Sequence, residues 1–151
     1  HTYSHPRLGA MRDIDALAEI RAGSLAIGRV SGKPTPLMRP PGGGFTLDVL
    51  KAATAANSTV VLWTHNTNDW LKPSPEVIAA NALRDLRPGS IILMQQGGME
   101  SVRGLPMIID GAEAKGLQLG TVGDMLRQCP VPVLPITDIM AKYQKPEIEK
   151  E

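Results

Sequence analysis

Helix-like and strand-like segments alternate along most of this chain, and this alternation limits its possible folds more than any other feature does. Residues 34–39 are predicted to be a short extended segment. Apolar, mostly β-branched runs after it predict strands at 59–64, 91–94 and, more weakly, 117–119. Periodic apolar residues predict helices at 13–30, 46–57, 74–86, 105–116 and 121–127. Segments in this order are typical of a parallel sheet with crossover helices.

The length of the chain restricts which parallel fold it can form. A complete eight-stranded α/β barrel needs upwards of about 200 residues, and this chain has 151. The sequence therefore predicts either a small open sheet or most of a barrel that lacks its first strands. Because residue 1 is His1 rather than Met, we expect a segment ahead of it to be absent from this sequence.

Capping residues mark where three of the predicted helices begin. Thr46 has the character of an N-cap, and Ser74 followed by Pro75 is an N-cap followed by a first-turn proline. Thr121 with Asp124 three residues later resembles a capping box.

The charges of the chain nearly cancel, with 16 Lys and Arg residues against 15 Asp and Glu residues and a net charge of +1. This balance predicts neither a nucleic-acid partner nor binding to an anionic membrane surface. No apolar run approaches the roughly 20 residues that cross a bilayer. The single cysteine, Cys129, excludes a disulfide or a thiolate zinc cluster within this sequence.

Two imidazoles, those of His1 and His5, stand four residues apart ahead of Pro6. Pro6 disfavours helical backbone at His5, so the pair lies in a loop or a single turn. Two imidazoles at this spacing can share one metal ion if the backbone turns between them. The alternative is a pair of exposed histidines without a ligand, since catalytic zinc needs a third protein ligand that no neighbouring segment obviously supplies.

A segment rich in proline and glycine, Arg-Pro-Pro-Gly-Gly, occupies residues 39–43. Its prolines restrict the backbone, and its glycines let a substrate approach the backbone closely. Backbone amides in such a segment can stabilise an oxyanion, and the guanidinium of Arg39 can bind a carboxylate. The alternative is an ordinary turn with a surface arginine.

Polar residues follow two predicted strands at their carboxyl ends, where α/β proteins place their sites. The first such segment contains both tryptophans, Trp63 and Trp70. We interpret Trp63 as a core residue, whereas the indole of Trp70 is either a packing group or a surface for a sugar ring. Gln95 ends the next strand, and its amide can hydrogen-bond but cannot transfer a proton near neutral pH.

Taken in order, these segments resemble the motifs of the NodB-homology polysaccharide deacetylases (carbohydrate esterase family four). The matching segments are H-x-x-x-H-P at 1–6, R-P-P-x-G at 39–43, a tryptophan-containing strand ending in Asp-Trp at 61–70, and G-S-I-x-L-x-Q at 89–95, where the family has G-S-I-x-L-x-H. The Asp-Asp motif that comes first in the family is not in this sequence.

The resemblance implies an α/β fold, namely a distorted (β/α) barrel of the polysaccharide deacetylase type that is incomplete because its first strands are missing. It implies that residues 1–127 form the deacetylase-like domain and that residues 128–151 are a Pro-rich extension with a charged, fraying tail. It also implies an extracellular or cell-envelope location.

The chemistry implied by the resemblance is removal of N-acetyl groups from a glycan of the chitin or peptidoglycan type. The implied cofactor is a divalent metal, with zinc first and cobalt or nickel as alternatives. By the motif match, His1 and His5 are metal ligands, and the aspartates of the absent motif are the third ligand and the base. Arg39 matches the arginine that orients the base. The implied substrate-binding residues are Gly42 for the oxyanion and Trp70 and Leu93 for the acetyl methyl group.

One implied catalytic position departs from the family. Members usually carry a histidine as general acid where this chain has Gln95, and Asp69 matches the carboxylate that tunes that histidine. Loss of a positioned general acid typically lowers a rate by ~10²–10⁴-fold. Asn66 stands where an acidic residue is common, and the neighbouring His65 is a candidate substitute acid.

Three functions therefore stay open. The first is a metal-dependent deacetylase whose upstream segment is absent here, with activity impaired by Gln95. The second is a catalytically inactive relative that binds glycan. The third is a structural half-barrel that serves only as an assembly partner, with a missing N-terminal segment or a separate chain completing the barrel.

Overall fold

The structure, a computed structural model, describes residues 1–128, so the expectations for Cys129 and the tail concern residues outside that range. Within the described part there are five α-helices: α1 Asp13–Ser31, α2 Leu47–Ala55, α3 Pro75–Leu83, α4 Met99–Ala114 and α5 Val122–Gln128. The same part has four short strands: β1 Leu37–Met38, β2 Thr59–Val60, β3 His65–Asn66 and β4 Ile92–Leu93. None of the described helices is both long and apolar enough to cross a membrane.

The strands form two parallel pairs, each with a helix between its members. β1 pairs with β2, Leu37 opposite Thr59, and α2 connects them. β3 pairs with β4, His65 opposite Ile92, and α3 connects them. Parallel strands require such crossovers because a tight turn cannot join them. The predicted α/β class is therefore confirmed, and within residues 1–128 the two pairs remain separate and close no barrel.

The described residues divide into two compact units, residues 1–62 and residues 63–128, each with its own core. The core of the first unit consists of Leu8, Ala16, Ile20, Met38, Val49, Ala52 and Ala53. The core of the second unit consists of Ile78, Ala79, Ala82 and Ile108, which lie on α3 and α4. Close approach of these two helices depends on Gly104, where a Cβ atom would lie 3.1 Å from the carbonyl oxygen of Pro75.

Two of the three predicted helix caps are hydrogen-bonded as expected. The hydroxyl of Thr46 accepts a hydrogen bond from the backbone N–H of Val49 at 3.3 Å. The hydroxyl of Thr121 accepts from the backbone N–H of Asp124 at 3.1 Å and donates to its carboxylate. Ser74 occupies the N-cap position of α3, but its side chain makes no capping hydrogen bond there.

The strand predicted at 117–119 is wrong, because the backbone there serves the end of α4 instead. Gly116 has a φ of +70°, and the N–H of Leu117 donates to the carbonyl of Ala112 at 3.1 Å. A left-handed glycine with this bond terminates a helix in the manner of a Schellman motif. The N–H of Leu117 is therefore not available to a strand ladder.

The periodic apolar residues that predict α1, namely Ile14, Leu17, Ile20 and Ile27, do not all lie on its buried side. Ile14 and Ile27 are 59% and 46% exposed. The buried positions of α1 are Ala16, Ile20 and Gly23, whose spacings of four and three residues place them on one helix face. That face is mostly small, so apolar periodicity predicted the helix but not its buried side.

Candidate functional site

The side chains of His1 and His5 meet in the first unit. Their Nε2 atoms lie 3.1 Å apart, and the ring centroids are 4.7 Å apart with 69° between the ring planes. The Nδ1 atom of His1 lies 2.7 Å from the carbonyl oxygen of Arg39. Because a carbonyl oxygen can only accept, Nδ1 carries the proton, and Nε2 of neutral His1 keeps its lone pair. The fold thus joins two motifs that are 38 residues apart in sequence.

This arrangement fits two ligands of one divalent metal. Two metal–nitrogen bonds of about 2.0–2.1 Å hold their nitrogens roughly 2.8–3.4 Å apart for bond angles from a right angle to tetrahedral. The observed separation of 3.1 Å lies in that range. Ligating histidines usually donate their other ring N–H to a carbonyl or carboxylate, as His1 does to Arg39. Neutral imidazole nitrogens suit zinc and nickel.

A third protein ligand is not present in the described part of the chain. Among residues 1–128, no group of three or more His, Cys, Asp or Glu side chains is arranged to hold a metal. Within the described residues, the histidine pair is therefore not joined by a third potential metal ligand.

The backbone around the histidines is strained. Thr2 has a φ of +59° and His5 a φ of +61°. Left-handed backbone is an outlier for a β-branched residue such as Thr2. The N–H of His5 donates to the Thr2 hydroxyl at 3.2 Å. Such strain persists only where surrounding contacts impose it, and it is concentrated at functional sites.

Glu19 on α1 holds this loop, a role that the sequence did not predict. Its Oε2 atom accepts hydrogen bonds from the N–H groups of Ser4 at 2.9 Å and Tyr3 at 3.1 Å. Its Oε1 atom accepts from the Ser4 hydroxyl at 2.8 Å. The bonds from Ser4, then that from Tyr3, hold the pKa of Glu19 below its ordinary value. Nothing in the sequence distinguishes Glu19 from a solvent-facing helical glutamate.

The Arg39–Gly43 segment forms a short turn beside β1. Residues Pro41–Gly43 are a single 3₁₀ turn, closed by a hydrogen bond of 3.0 Å from Gly43 N–H to the Pro40 carbonyl. Gly42 is exposed with a φ of +66°, which favours glycine at this position. Partial burial lowers the pKa of the Arg39 guanidinium. The role of Arg39 in orienting the base and that of Gly42 in stabilising the oxyanion stay predictions.

A second polar cluster forms around Asp69 in the other unit. Asp69 is buried, and its Oδ2 atom accepts from the backbone N–H of Gln95 at 2.8 Å and from the hydroxyl of Ser101 at 2.7 Å. Its Oδ1 atom is buried without a hydrogen-bond partner. Ser101, another residue that sequence reasoning missed, is a buried polar residue on α4. Asp69 thus joins the end of β4 to the first turn of α4.

The side chain of Gln95 is exposed. Asp69 binds the backbone N–H of Gln95. The imidazole Nδ1 of His65 lies 2.8 Å from the Thr64 hydroxyl. The side-chain oxygen of Asn66 accepts from the N–H of Asn68 at 3.0 Å and shapes the loop before Asp69. The predicted loss of the general acid at Gln95 and the role of His65 as a substitute acid stay predictions.

The apolar residues predicted to contact substrate lie in different environments. Leu93 is 8% exposed in β4, and its carbonyl accepts from both the N–H and the hydroxyl of buried Thr67. Trp70 is 62% exposed in a 3₁₀ turn, whereas Trp63 is half-buried. An exposed indole can stack on a ligand, and buried Leu93 can only present a small part of its surface.

The Asp69 cluster makes a testable prediction about stability. Replacing Asp69 with alanine leaves the Gln95 N–H and the Ser101 hydroxyl without an acceptor, so unfolding free energy should fall by about 1–3 kcal/mol for each group that stays buried. Urea denaturation measures this loss. Asp110→Ala, an exposed site on α4, is the control and should change little. Equal midpoints for the two variants would contradict the prediction.

Comparison with known sequences gives consistent matches. A family model described as polysaccharide deacetylase matches residues 1–61. A peptidoglycan-N-acetylglucosamine deacetylase from Bacillus cereus is 34% identical over 131 residues, which cover 84% of this chain and 48% of that protein. A chitooligosaccharide deacetylase from Bradyrhizobium sp. is 29% identical over 79% of this chain and 61% of that protein. The chain spans about half the length of the curated relatives it matches.

Comparison with solved structures agrees. A pseudoenzyme of carbohydrate esterase family 4 from Bacillus anthracis superposes with a TM-score of 0.80 at 25% identity, over 83% of this chain and 44% of that one. A mutant of this pseudoenzyme with restored enzymatic activity superposes with a TM-score of 0.79, also at 25% identity, over 83% of this chain and 46% of that one. The predicted (β/α)-barrel type of fold is therefore confirmed, and residues 1–128 form part of it.

Proposed function

Because the chain belongs to the NodB-homology polysaccharide deacetylases of carbohydrate esterase family four, we propose that it hydrolyses N-acetyl groups on a glycan of the peptidoglycan or chitin type. The observation that carries this proposal is the 3.1 Å approach of the His1 and His5 Nε2 atoms, with His1 oriented by the Arg39 carbonyl. Two imidazole nitrogens this close together, with one ring oriented by a backbone carbonyl, are typical of metal-ligating histidines.

His1 and His5 would hold the metal through their Nε2 atoms, with zinc as our proposal and cobalt or nickel as alternatives. A bound divalent metal supplies Lewis-acid chemistry, since it polarises an amide carbonyl and acidifies water to near neutral pH. We assign the third ligand and the general base to carboxylates on a segment or chain outside residues 1–128, because those residues contain no third ligand arranged with the pair.

We assign to the guanidinium of Arg39 the orientation of the base carboxylate. The support is its partial burial and the hydrogen bond that its backbone carbonyl accepts from His1, which place Arg39 beside the histidine pair, since a guanidinium presents a planar fork to a carboxylate. The backbone amide of Gly42 would stabilise the oxyanion of the acetyl group. No side chain at Gly42 would obstruct that approach.

On the second unit, we assign the exposed indole of Trp70 to a sugar face and Leu93 to the acetyl methyl group. The peptidoglycan and chitooligosaccharide named for the relatives are glycans of this N-acetylated class. Peptidoglycan is wall material, so we propose an extracellular or cell-envelope location. Residues 1–127 would be the catalytic part, and residues 128–151 an extension.

A second candidate is a glycan-binding relative without turnover. Two observations favour it: Gln95 cannot act as a proton donor near neutral pH, and Asp69 Oδ1 lacks the partner that a histidine could provide. The similar pseudoenzyme from Bacillus anthracis shows that loss of activity occurs within this fold. In this candidate function, Trp70 would bind the sugar and the acetyl group would not be hydrolysed.

Acetate release tests the proposal. The full-length product of the gene that encodes these residues would be incubated with N-acetylchitooligosaccharides and with peptidoglycan. We expect acetate release that stops after dialysis against chelator and returns with Zn²⁺. Glycan binding that quenches Trp70 fluorescence, with no acetate under any metal, would overturn the deacetylase proposal in favour of the binding candidate. A Trp70→Phe variant identifies which tryptophan reports.

A further inference from the structure

We propose that Glu19 and Gly23 are positioning residues that hold His1 and His5 in their metal-binding geometry. The two residues lie four positions apart on α1, so they face the same side of the helix. Both contact the loop that joins the two histidines. This inference rests on the proposed function, since the geometry of the rings matters for catalysis only if they hold a metal.

Glu19 accepts three hydrogen bonds from the two residues in the middle of the loop. Two of the bonds run from the N–H groups of Tyr3 and Ser4 to one carboxylate oxygen, and the Ser4 hydroxyl donates to the other. Hydrogen bonds to a charged acceptor are roughly twice as strong as neutral ones. They act on the backbone itself, so they determine the path of the chain between the two imidazoles.

Gly23 determines how near the loop can come to α1. A Cβ atom built at Gly23 would lie 2.7 Å from both the carbonyl carbon and the oxygen of Thr2. These are backbone atoms, which cannot rotate away as the end of a side chain can. Any larger residue at this position must therefore push Thr2, and with it His1, away from the helix.

The strain in the loop explains why such support is needed. Thr2 and His5 both have left-handed backbone, which an unsupported loop would relax because it is unfavourable for these side chains. Relaxation at either residue would rotate one imidazole relative to the other. Glu19 acts on the two residues between these strained positions and Gly23 acts on Thr2 itself, where they oppose that relaxation.

The test uses the 151-residue chain and two measurements. Nuclear Overhauser contacts between the His1 and His5 rings report their approach without metal, and calorimetric titration with Zn²⁺ reports affinity. In Glu19→Ala, we expect the inter-ring contact to be lost and Zn²⁺ affinity to fall by about 10–100-fold, the usual cost of losing outer-shell support. Glu113→Ala, at an exposed glutamate on α4, is the matched control and should match wild type.

Two further variants separate positioning from general stability. Glu19→Gln keeps an oxygen for the two N–H groups and an amide for the Ser4 hydroxyl, which can also accept, so it should retain most of the contact and affinity. Gly23→Ala raises helix propensity and cannot melt α1, yet it should displace the loop and reproduce the losses of Glu19→Ala.

The outcomes distinguish this inference from the proposed function. Unchanged inter-ring contact and Zn²⁺ affinity in Gly23→Ala, or in a folded Glu19→Ala, would overturn the inference. If wild type shows the ring contact but binds no Zn²⁺, the metal proposal fails. In that case, loss of the contact in Glu19→Ala and Gly23→Ala still supports positioning by these residues.

Discussion

Replacing His5 with alanine is expected to lower the Zn²⁺ affinity of this chain by more than about 100-fold, because loss of an outer-shell partner alone costs about 10–100-fold and His5 is one of the two proposed ligands. One imidazole on a loop cannot chelate, and the described residues provide no third ligand to replace it. Calorimetric titration of the 151-residue chain with Zn²⁺ measures the effect.

Two variants make the His5 result specific. His65→Ala removes the one other histidine of the chain, whose Nδ1 lies 2.8 Å from the Thr64 hydroxyl, and should leave affinity unchanged. His5→Asn removes the imidazole but keeps a residue that tolerates positive φ, so it should bind as weakly as His5→Ala. If His5→Ala retains wild-type affinity, or His65→Ala loses as much, the pair is not the metal site.

Replacing Gln95 with histidine is expected to raise acetate release by about 10²–10⁴-fold, the usual contribution of a positioned general acid. The backbone N–H of residue 95 donates to Asp69 Oδ2 at 2.8 Å. A histidine side chain at residue 95 would therefore start close to that carboxylate. Asp69 Oδ1 is buried and has no hydrogen-bond partner. An imidazole N–H that donates to it would satisfy the carboxylate and orient the ring.

The measurement for Gln95→His is acetate release from N-acetylchitooligosaccharides by the full-length gene product. Gln96→His places the same side chain one residue later, at an exposed position, and is the matched control. Adding Asp69→Asn to Gln95→His should remove most of the gain, because the carboxylate no longer stabilises a charged ring. If Gln95→His and Gln96→His raise acetate release equally, or if Gln95→His does not raise it, residue 95 is not the position of a general acid.

Local interactions explain which parts of the fold were predictable. The caps at Thr46 and Thr121 use side chains within three residues of the N–H groups they satisfy, so sequence spacing alone identifies them. The strands were harder, since each is only two residues long and is defined by a partner more than twenty residues away. The predicted strand at 117–119 failed because a helix end competed for the same N–H.

The candidate site shows the same division. Motif order identified His1, His5, Arg39, Asp69 and Gln95, because these residue types and spacings are readable without coordinates. The contribution of Glu19 and Ser101 was not readable, since each acts on a residue 15 or more positions away through a contact that has no pattern in the sequence.

By itself, the sequence determined the α/β class, the caps at Thr46 and Thr121 and the candidate metal ligands, because these depend on residue type and on neighbours close along the chain. Only the tertiary structure decided that the two imidazole Nε2 atoms lie 3.1 Å apart and that the Arg39 carbonyl selects the His1 tautomer. It likewise decided that Asp69 binds the backbone of residue 95. The reason is that hydrogen bonds and steric limits act over a few ångströms in space, and distant chain segments reach that range only after folding.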